Sequence, residues 1–261
     1  MSSADALLDS NEDVKRIYSF NLAQSKLLWR NFRTGQHSSL LIKKAFRFSV
    51  IFIELPGSSL LFCGGLSFTY GPSKEAIKID DSREFATIEL PQMIASRSNH
   101  SLNVHQGSVY AICGRTVKCE KLSLESLEWE SLPDHPKPYS LHATIISGNS
   151  IFTFDGAGAM EAVKLNLGEG EWEVLGIDFK YQFNNPYFIS SSDPDTVFFI
   201  VKTSLTSLHL KTLKRSPIGS NAALKSNFGL VTHGESIVVQ GLLYMRATQG
   251  IEVLDLLSFK C

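Results

Sequence analysis

The chain is poor in cysteine and tryptophan and has no excess of either charge. Its 261 residues include 4 cysteines and 3 tryptophans, and 25 basic residues stand against 26 acidic ones. A near-neutral chain without a concentrated basic surface does not hold nucleic acid by neutralising phosphates. So few cysteines, with no Cys-x-x-Cys pair, make no disulfide framework and favour a reducing compartment. We therefore expect a cytoplasmic protein that binds no nucleic acid.

Long apolar runs are missing as well. None approaches the roughly 18 to 20 residues that cross a bilayer, and the polar, acidic start of the chain is unlike a signal peptide. We therefore expect no membrane insertion. Closed β architectures of about 250 residues often form one unit, which predicts a single domain over 14–261 behind a flexible tail over 1–13.

Helical periodicity is the third absence. Val, Ile, Phe, Tyr and Thr crowd the periodic segments, and only Ala4–Arg16 and Leu40–Phe46 have any helical character. Repeats built from paired helices are excluded by this composition, and an all-β chain is predicted.

What is present is an internal repeat. The segment His100–Gly114 aligns with the segment His142–Gly156 without a gap, and both have the pattern of a strand, a glycine turn and a second strand. The second half of each unit repeats a leucine seven residues before a tryptophan: Leu22 and Trp29, Leu122 and Trp129, Leu165 and Trp172. The residues around Trp129 and Trp172 alternate apolar with acidic side chains, which is typical of half-buried strands. A unit of two hairpins is therefore copied along the chain.

Weaker copies extend the series in both directions, and a glycine usually ends the second strand. These anchor glycines are Gly64, Gly114, Gly156 and Gly241, with Lys202 taking the equivalent place between the last two. Spacings of this size suit four short strands with their turns.

The pattern resembles the kelch repeat, whose units form the four-stranded blades of a β-propeller. The residues that carry the resemblance are Phe62-Cys63-Gly64-Gly65, the alternating strand that follows, and a Trp strand leading into Leu132-Pro133. Only the first unit keeps both glycines in this alignment, since a later one reads Gly114-Arg115, and Phe85 replaces the first tryptophan. The resemblance covers roughly residues 14 to 256 and implies a kelch-like propeller of six, or alternatively five, blades.

A ring of blades has to close, because one four-stranded blade cannot cover both of its faces. The N-terminal hairpin Arg16–Phe32 has the character of an outer half without an inner half, and the C-terminal unit has too little chain for a fourth strand. We therefore expect a closing blade shared by the N- and C-termini.

The repeated residues have structural rather than chemical roles in this interpretation. We expect the repeat glycines to let the backbone crowd or turn, because no helix follows them to bind phosphate, and the tryptophans to pack between blades. The residues given these structural roles are Gly64, Gly65, Gly114, Gly156, Gly241, Trp29, Trp129 and Trp172. His100 and His142 occupy equivalent places, but no third ligand recurs with them, so no metal site and no cofactor are predicted.

No catalytic constellation is recognisable, which leaves the loops as the functional surface. Kelch-like propellers most often serve as interaction scaffolds, and tyrosine and arginine are enriched at interface hot spots. The predicted partner-binding loop residues are Tyr70, Arg97, Asn99, Arg115, Tyr139, Tyr244 and Arg246. We therefore expect a monomeric, non-catalytic module that binds a protein partner through one rim. The alternative is a propeller enzyme, of the sugar epimerase or metal-dependent oxidase type, with its site at the channel mouth.

Overall fold

The computed structural model describes most of the chain between Arg16 and Asp255. The described ranges are 16–21, 25–31, 37–42, 46–57, 59–80, 85–140, 142–154, 160–179, 187–190, 195–201, 204–220, 236–239, 242–247 and 250–255. Throughout these ranges the regular elements are strands, so the all-β prediction is confirmed. Leu40, which the sequence assigned to a segment of weak helical character, lies in a strand. Within the same ranges no helix is long and apolar enough to cross a membrane.

The strands form small antiparallel sheets, here numbered I to VI in chain order, and each sheet pairs its strands in sequence order. Sheet I contains β1 (Arg16–Asn21), β2 (Lys26–Asn31) and β3 (His37–Leu41). Sheet II contains β4 (Ile51–Leu55), β5 (Ser59–Cys63), β8 (Ala76–Asp80) and β9 (Ala86–Glu89), with a short hairpin of β6 (Leu66–Ser67) and β7 (Gly71–Pro72) between β5 and β8. Sheet III contains β10 (Ser101–His105), β11 (Ser108–Ile112), β12 (Cys119–Ser123) and β13 (Trp129–Leu132).

The second half of the chain continues in the same manner. Sheet IV contains β14 (Ala143–Ser147), β15 (Ser150–Phe154), β16 (Met160–Asn166) and β17 (Glu171–Phe179). Sheet V contains β18 (Tyr187–Ser190), β19 (Thr196–Val201), β20 (Ser204–His209) and β21 (Lys214–Ser220). Sheet VI contains β22 (Ser236–Val239), β23 (Leu242–Ala247) and β24 (Gly250–Asp255).

Tight turns that need a left-handed backbone join the first two strands of a sheet. In sheet III, His105 pairs with Ser108, and the two residues between them, Gln106 and Gly107, have φ of 46° and 73°. Positive φ at both central residues defines the hairpin turn whose twist matches that of the flanking strands. Gly148, with φ of 55°, begins the equivalent turn in sheet IV.

The 42-residue repeat is a structural repeat. Ser101 pairs with Ile112 in sheet III, and Ala143 pairs with Phe154 in sheet IV, which is the same hairpin 42 residues further along. In the outer halves, Leu122 lies opposite Trp129 and Leu165 lies opposite Trp172, which explains the spacing of seven.

The third copy of that spacing is different. Trp29 lies opposite Tyr18 in the β1–β2 hairpin, and Leu22 lies outside the described residues. The N-terminal hairpin therefore shares a Leu-to-Trp spacing with the repeat but not its strand register.

The hydrophobic core lies between consecutive sheets. Leu61 and Met93 from sheet II and the segment that follows it pack with Val109 and Leu122 of sheet III. Similar clusters join sheets I and II, sheets III and IV, and sheets IV and V. The first strands of sheets II to VI, which are β4, β10, β14, β18 and β22, lie side by side in that order. Each sheet thus covers a face of its neighbour, as thin sheets require.

The two ends of the chain meet. β1 lies beside β23 and β24, and β2 lies beside β24, so sheet I contacts sheet VI as well as sheet II. The contact expected of Arg16–Phe32 with the C-terminal unit is present for the described strands. In those strands, however, the termini form two separate three-stranded sheets rather than one shared sheet.

The repeat tryptophans join neighbouring units by a hydrogen bond as well as by packing. The indole N–H of Trp129 donates to the carbonyl of Pro91 at 2.9 Å, and that of Trp172 donates to the carbonyl of Pro133 at 3.0 Å. Each proline follows the last strand of the preceding sheet. The proline carbonyl of one unit therefore accepts a hydrogen bond from the tryptophan of the next unit. Both rings are half-buried in the core clusters between sheets.

Two of the repeat glycines stand where a side chain would collide with the connection between sheets II and III. A Cβ on Gly64 would lie 2.5 Å from the carbonyl oxygen of Arg97, and one on Gly114 would lie 2.5 Å from Cβ of His100. Both residues also have positive φ. The backbone is therefore crowded at these two positions, while Gly156 and Gly241 lie outside the described residues.

The register of the double glycine differs from the sequence alignment by one residue. Cys63 and Ile112 occupy the same place, because each ends a second strand paired with the first residues of both neighbouring strands. The next two residues are therefore equivalent in the two sheets: Gly64 and Gly65 have φ of 67° and 106°, and Cys113 and Gly114 have φ of 52° and 91°. Cys113 thus stands in a place that glycine fills in sheet II, and Gly114 corresponds to Gly65 rather than to Gly64.

A first prediction compares two glycines with positive φ. Gly114→Ala should lower the free energy of unfolding by about 3 kcal/mol, because left-handed strain adds to a collision with backbone and side-chain atoms. Gly107→Ala is the matched control, because its Cβ would have nothing within 4 Å, and it should cost only about 1 kcal/mol of strain. Urea unfolding measures both. Equal losses would contradict crowding of Gly114 against Ser98 and His100.

A second prediction concerns the tryptophan bridge. Trp172→Ala should cost about 3 kcal/mol, at the lower end of the range for aromatic truncations because the ring is half-buried. Trp172→Phe keeps most of the packing and loses the hydrogen bond to Pro133, so it should cost about 1 kcal/mol. The same urea experiment measures both variants. A loss below about 0.5 kcal/mol for the alanine variant would show that the ring does not hold the units together.

Candidate functional site

Several loops of sheets II and III gather at one edge, which we call the glycine edge because Gly64 and Gly114 lie there, just beyond the ends of β5 and β11. The backbone N–H of Gly65 donates to the carbonyl of Arg97 at 3.0 Å, and that of Gly114 donates to the carbonyl of Tyr139 at 3.0 Å. The β6–β7 hairpin, the loop 114–118 and the connections into β10 and β14 therefore share this edge. Most of the predicted partner-binding residues belong to these segments.

Arg97 is not available to a partner. Its side chain is fully buried, and one terminal nitrogen donates to the carbonyls of Ala111 at 3.2 Å, Cys113 at 2.8 Å and Lys118 at 3.0 Å. The other terminal nitrogen pairs with the Glu120 carboxylate. The prediction that Arg97 lies in a binding loop is therefore wrong, because its charge is neutralised and hydrogen-bonded inside the protein.

Glu120 completes this buried ion pair and was not recognised from the sequence. Its side chain is buried, and its carboxylate accepts hydrogen bonds from the backbone N–H of Ile94 at 2.6 Å and of Ala95 at 3.3 Å as well as from Arg97. A buried charge is tolerated only when it is paired and its remaining lone pairs are satisfied. In the sequence, Glu120 has only the signal of an acidic residue on a strand.

The ion pair fixes sheet III against the connection that comes from sheet II. Glu120 lies on β12 of sheet III, and the residues that it binds, 94 to 97, form the connection from sheet II. Arg97 itself donates its backbone N–H to the carbonyl of Ser73 at 2.9 Å, next to β7. Through these side-chain and backbone contacts, Arg97 and Glu120 together join the connection, the small hairpin of sheet II and two strands of sheet III.

Tyr139 is also buried, contrary to the prediction. Its ring lies 4.5 Å from the His135 ring and 6.0 Å from the His142 ring, between centroids. Its carbonyl accepts hydrogen bonds from the backbone N–H of Gly114 and of Arg115 at 3.0 and 3.2 Å. The aromatic side chain is therefore part of the packing between sheets III and IV and not a surface contact.

The remaining predicted residues of the glycine edge differ in exposure. Arg115 is exposed, with φ of 63°, and Asn99 is half-buried, with φ of 52°. Tyr70 is 81% exposed at the tip of the β6–β7 hairpin. The structure therefore leaves Tyr70 and Arg115 accessible on this edge.

Tyr244 and Arg246 do not lie in a loop. Both belong to strand β23, where Tyr244 pairs with Ile237 and Val253, and Arg246 pairs with Ile251. The prediction that these two residues lie in a partner-binding loop is therefore wrong. Tyrosine is enriched in strands, so Tyr244 carried a strand signal in the sequence.

Two exposed phenylalanines accompany Tyr70 on the glycine edge. Phe68 is 86% exposed and Phe48 is 53% exposed, and their ring centroids are 4.9 Å apart. The backbone N–H groups of Thr69 and Tyr70 donate to the Ser67 hydroxyl at 3.3 Å, which closes the hairpin tip. We call Phe48, Phe68 and Tyr70 the aromatic patch. Phe48 is separated from the other two by a whole hairpin, so the sequence did not indicate it.

The histidines of the repeat serve in packing and hydrogen bonding. The Nε2 atom of His142 lies 3.1 Å from the Ser101 hydroxyl, which in turn lies 2.6 Å from the Thr144 hydroxyl. His100 is buried beneath Gly64 and Gly114. Within the described ranges, no three His, Cys, Asp or Glu side chains converge as metal ligands.

A third prediction tests the buried ion pair. Arg97→Ala should lower the free energy of unfolding by about 3 to 5 kcal/mol, because it leaves the Glu120 charge buried without its partner. Arg115→Ala is the matched control, since Arg115 is exposed on the adjacent loop, and it should change stability by less than about 0.5 kcal/mol. The double variant Arg97→Met with Glu120→Leu should recover part of the loss. Similar stability of the Arg97 and Arg115 variants in urea would contradict this role of the pair.

Comparison with known proteins adds no further residue to this site. No family model matches the chain, and no curated protein matches it. The kelch resemblance therefore stays a prediction, carried by the repeat itself and by the sheets that its units form.

Proposed function

We propose that the chain folds as a kelch-like β-propeller in which sheets I to VI are the blades. The proposal is supported by three features: sheets of up to four antiparallel strands, cores between consecutive sheets, and first strands that lie side by side in chain order. The contact of β1 with β23 and β24 supports closure of the ring by the two termini. Closure also protects sheet edges that would otherwise be open to aggregation.

On this scaffold, we infer a non-catalytic interaction module that binds a protein partner through the glycine edge. The observation that carries the inference is the aromatic patch, in which three large rings stand in solvent on structured backbone. Exposed aromatic groups on a rigid element bury a large area at little entropic cost when a partner covers them, and such residues form interface hot spots. Scattered exposed side chains need no explanation, but Phe48 and Phe68 are in contact.

The charges of the edge indicate the chemistry of the partner. Lys74 and Arg115 are exposed, and neither forms an ion pair with another described residue, whereas Lys118 pairs with Asp134 at 2.7 Å. An apolar patch beside uncompensated cations suits a partner segment that combines apolar and acidic side chains, because opposite potentials steer association.

The rival enzyme interpretation has no arrangement on the described part of the edge that a sugar-sized substrate could reach. The Ser101 hydroxyl and the His142 imidazole lie within hydrogen-bonding distance, but both side chains are buried and the hydroxyl also binds Thr144. An epimerase or oxidase must bring its substrate to the nucleophile and base, so this buried pair does not support catalysis of that kind. Sheet packing explains it better.

A fourth prediction tests the binding edge by site-specific photo-crosslinking. A photoreactive phenylalanine analogue at Tyr70 should form adducts with the partner in cells. The same analogue at Glu125 is the matched control, because Glu125 lies in the turn at the opposite end of sheet III, where the N–H of Leu124 donates to Gly107. Adducts from position 125 alone, or from neither position, would contradict binding at the glycine edge.

Once a partner is identified, affinity completes the test. Phe68→Ala and Tyr70→Ala should each weaken binding by about tenfold or more, as removal of hot-spot aromatics does. Arg115→Ala should mainly slow association and reduce its salt dependence. Unchanged melting temperatures would show that the fold is intact. A stoichiometric metal ion or substrate turnover by the purified protein would instead favour the enzyme.

A further inference from the structure

Cys113 and Cys119 face each other across the start of the loop 114–118. Cys119 is the first residue of β12 and lies opposite Ile112, the last residue of β11, so Cys113 is one residue beyond that pair. The Cys113 thiol donates to the carbonyl of Lys137 at 3.7 Å, and the Cys119 thiol donates to the carbonyl of Val117 at 3.6 Å. Both side chains are buried in the same core cluster, and neither cysteine forms a disulfide.

The conformation of Cys113 is what brings the thiols together. Successive residues of a strand point to opposite faces, so a regular strand would place Cys113 on the face of Ala111. Ala111 lies in the core between sheets II and III, whereas Cys113 lies with Ile112 and Cys119 in the core between sheets III and IV. The positive φ of Cys113, 52°, produces this change of face.

That conformation is unfavourable for a residue with a Cβ atom, and the equivalent position in sheet II is Gly64. A cysteine is therefore held where glycine would fit without strain. Strain that the surrounding structure maintains at one residue is reason to look for a function there.

The Arg97 guanidinium fixes the backbone on both sides of the pair. It donates to the carbonyl of Cys113 at 2.8 Å and to the carbonyl of Lys118, the residue before Cys119, at 3.0 Å. The neighbouring Cys113 thiol lowers the pKa of the Cys119 thiol, and the Arg97 charge lowers it further, although burial opposes both. The neighbouring Cys119 thiol and burial raise the pKa of Cys113. One sulfur is thus the better nucleophile and the other keeps its proton.

We propose that Cys113 and Cys119 are a reversible redox site that closes to a disulfide under a peroxide. The Cys119 thiolate attacks one peroxide oxygen, the O–O bond breaks, and the released hydroxide takes up a proton to become water. The Cys113 sulfur then attacks the sulfenic sulfur of Cys119, the S–O bond breaks, and hydroxide leaves with the Cys113 proton as a second water. Both sulfurs are oxidised and both peroxide oxygens are reduced.

Cys63 is also a buried cysteine, but the proposed redox chemistry does not extend to it. It ends β5 in a regular strand conformation and packs in the core between sheets II and III, apart from the cluster that contains Cys113 and Cys119. Burial raises the pKa of its thiol, which leaves it protonated and unreactive. Cys63 is therefore an internal control in the same molecule.

The test is peptide mapping of the folded, reduced, full-length protein after exposure to hydrogen peroxide. Free thiols are alkylated in denaturant, and trypsin cleaves after Arg115 and Lys118, so a Cys113–Cys119 disulfide links two separate peptides. Linked peptides should exceed any other cysteine pairing by about tenfold, because neighbouring thiols have a high effective concentration. Dithiothreitol should restore both alkylated peptides.

Two variants keep the test decisive. Cys113→Gly relieves the left-handed strain and should fold with an unchanged or higher melting temperature, but its Cys119 should proceed to sulfinic acid because no second thiol resolves the sulfenic acid. Cys63→Ala should form the disulfide as the wild type does. The proposal is overturned if Cys113 and Cys119 both remain alkylatable after prolonged peroxide treatment, if either pairs with Cys63 or Cys261, or if the Cys113→Gly variant leaves the products at Cys119 unchanged.

Discussion

A buried pair of opposite charges, Arg97 and Glu120, holds sheets II and III in their relative position. Removing two charges from water costs several kcal/mol for each ion, and their attraction compensates only when nearly every donor and acceptor is occupied. Three carbonyls accept hydrogen bonds from Arg97 and two backbone N–H groups donate to the Glu120 carboxylate, which occupies most of the polar groups of the pair; the Nε–H of Arg97 has no partner among the described residues. Arginine suits this site because its planar fork can serve the carbonyls and the carboxylate together, which a lysine ammonium cannot do. The position of the sheets, the path of the connection between them and the start of the loop 114–118 all follow from this pair.

Close packing at the same edge is possible because glycine occupies the positions where a Cβ atom would collide. Gly64 and Gly114 leave room for Arg97 and His100, whose atoms would collide with any Cβ there. Where a side chain does occur in this left-handed pair, at Cys113, it is turned into the core between sheets III and IV. Crowding between units therefore decides which residues are tolerated at the glycine edge, and it leaves the hairpin tip and the loop 114–118 as the places where exposed side chains can vary.

Strand composition and the repeat predicted the all-β fold, because alternation and turn glycines are local signals that each strand carries itself. Leu122 and Leu165 were recognisable for the same reason, since a fixed spacing across one turn reflects a cross-strand pair. Arg97 and Tyr139 were misjudged because their environment is set by distant residues: the partner of Arg97 is 23 residues away, and Tyr139 lies under loops of the neighbouring sheet. The sequence aligned Gly114 with Gly64, whereas the structure aligns it with Gly65. Both alignments match glycine with glycine, and only the pairing register of the strands distinguishes them. Phe48 was missed because a hairpin insertion brings it to Phe68.

The loop 114–118 connects the buried thiols to the accessible edge. Its first residue is the crowded Gly114, its second is the exposed Arg115, and its last, Lys118, gives its carbonyl to Arg97 and its ammonium group to Asp134. A covalent bond between Cys113 and Cys119 would close this loop on itself and reduce its conformational freedom. Since Arg115 has no ion pair within the described residues, its position depends on the loop backbone more than on side-chain contacts. Oxidation of the two buried sulfurs would therefore change the position of the Arg115 charge at the glycine edge through the backbone of the loop 114–118. The aromatic patch would not move, because Phe68 and Tyr70 lie on the separate β6–β7 hairpin.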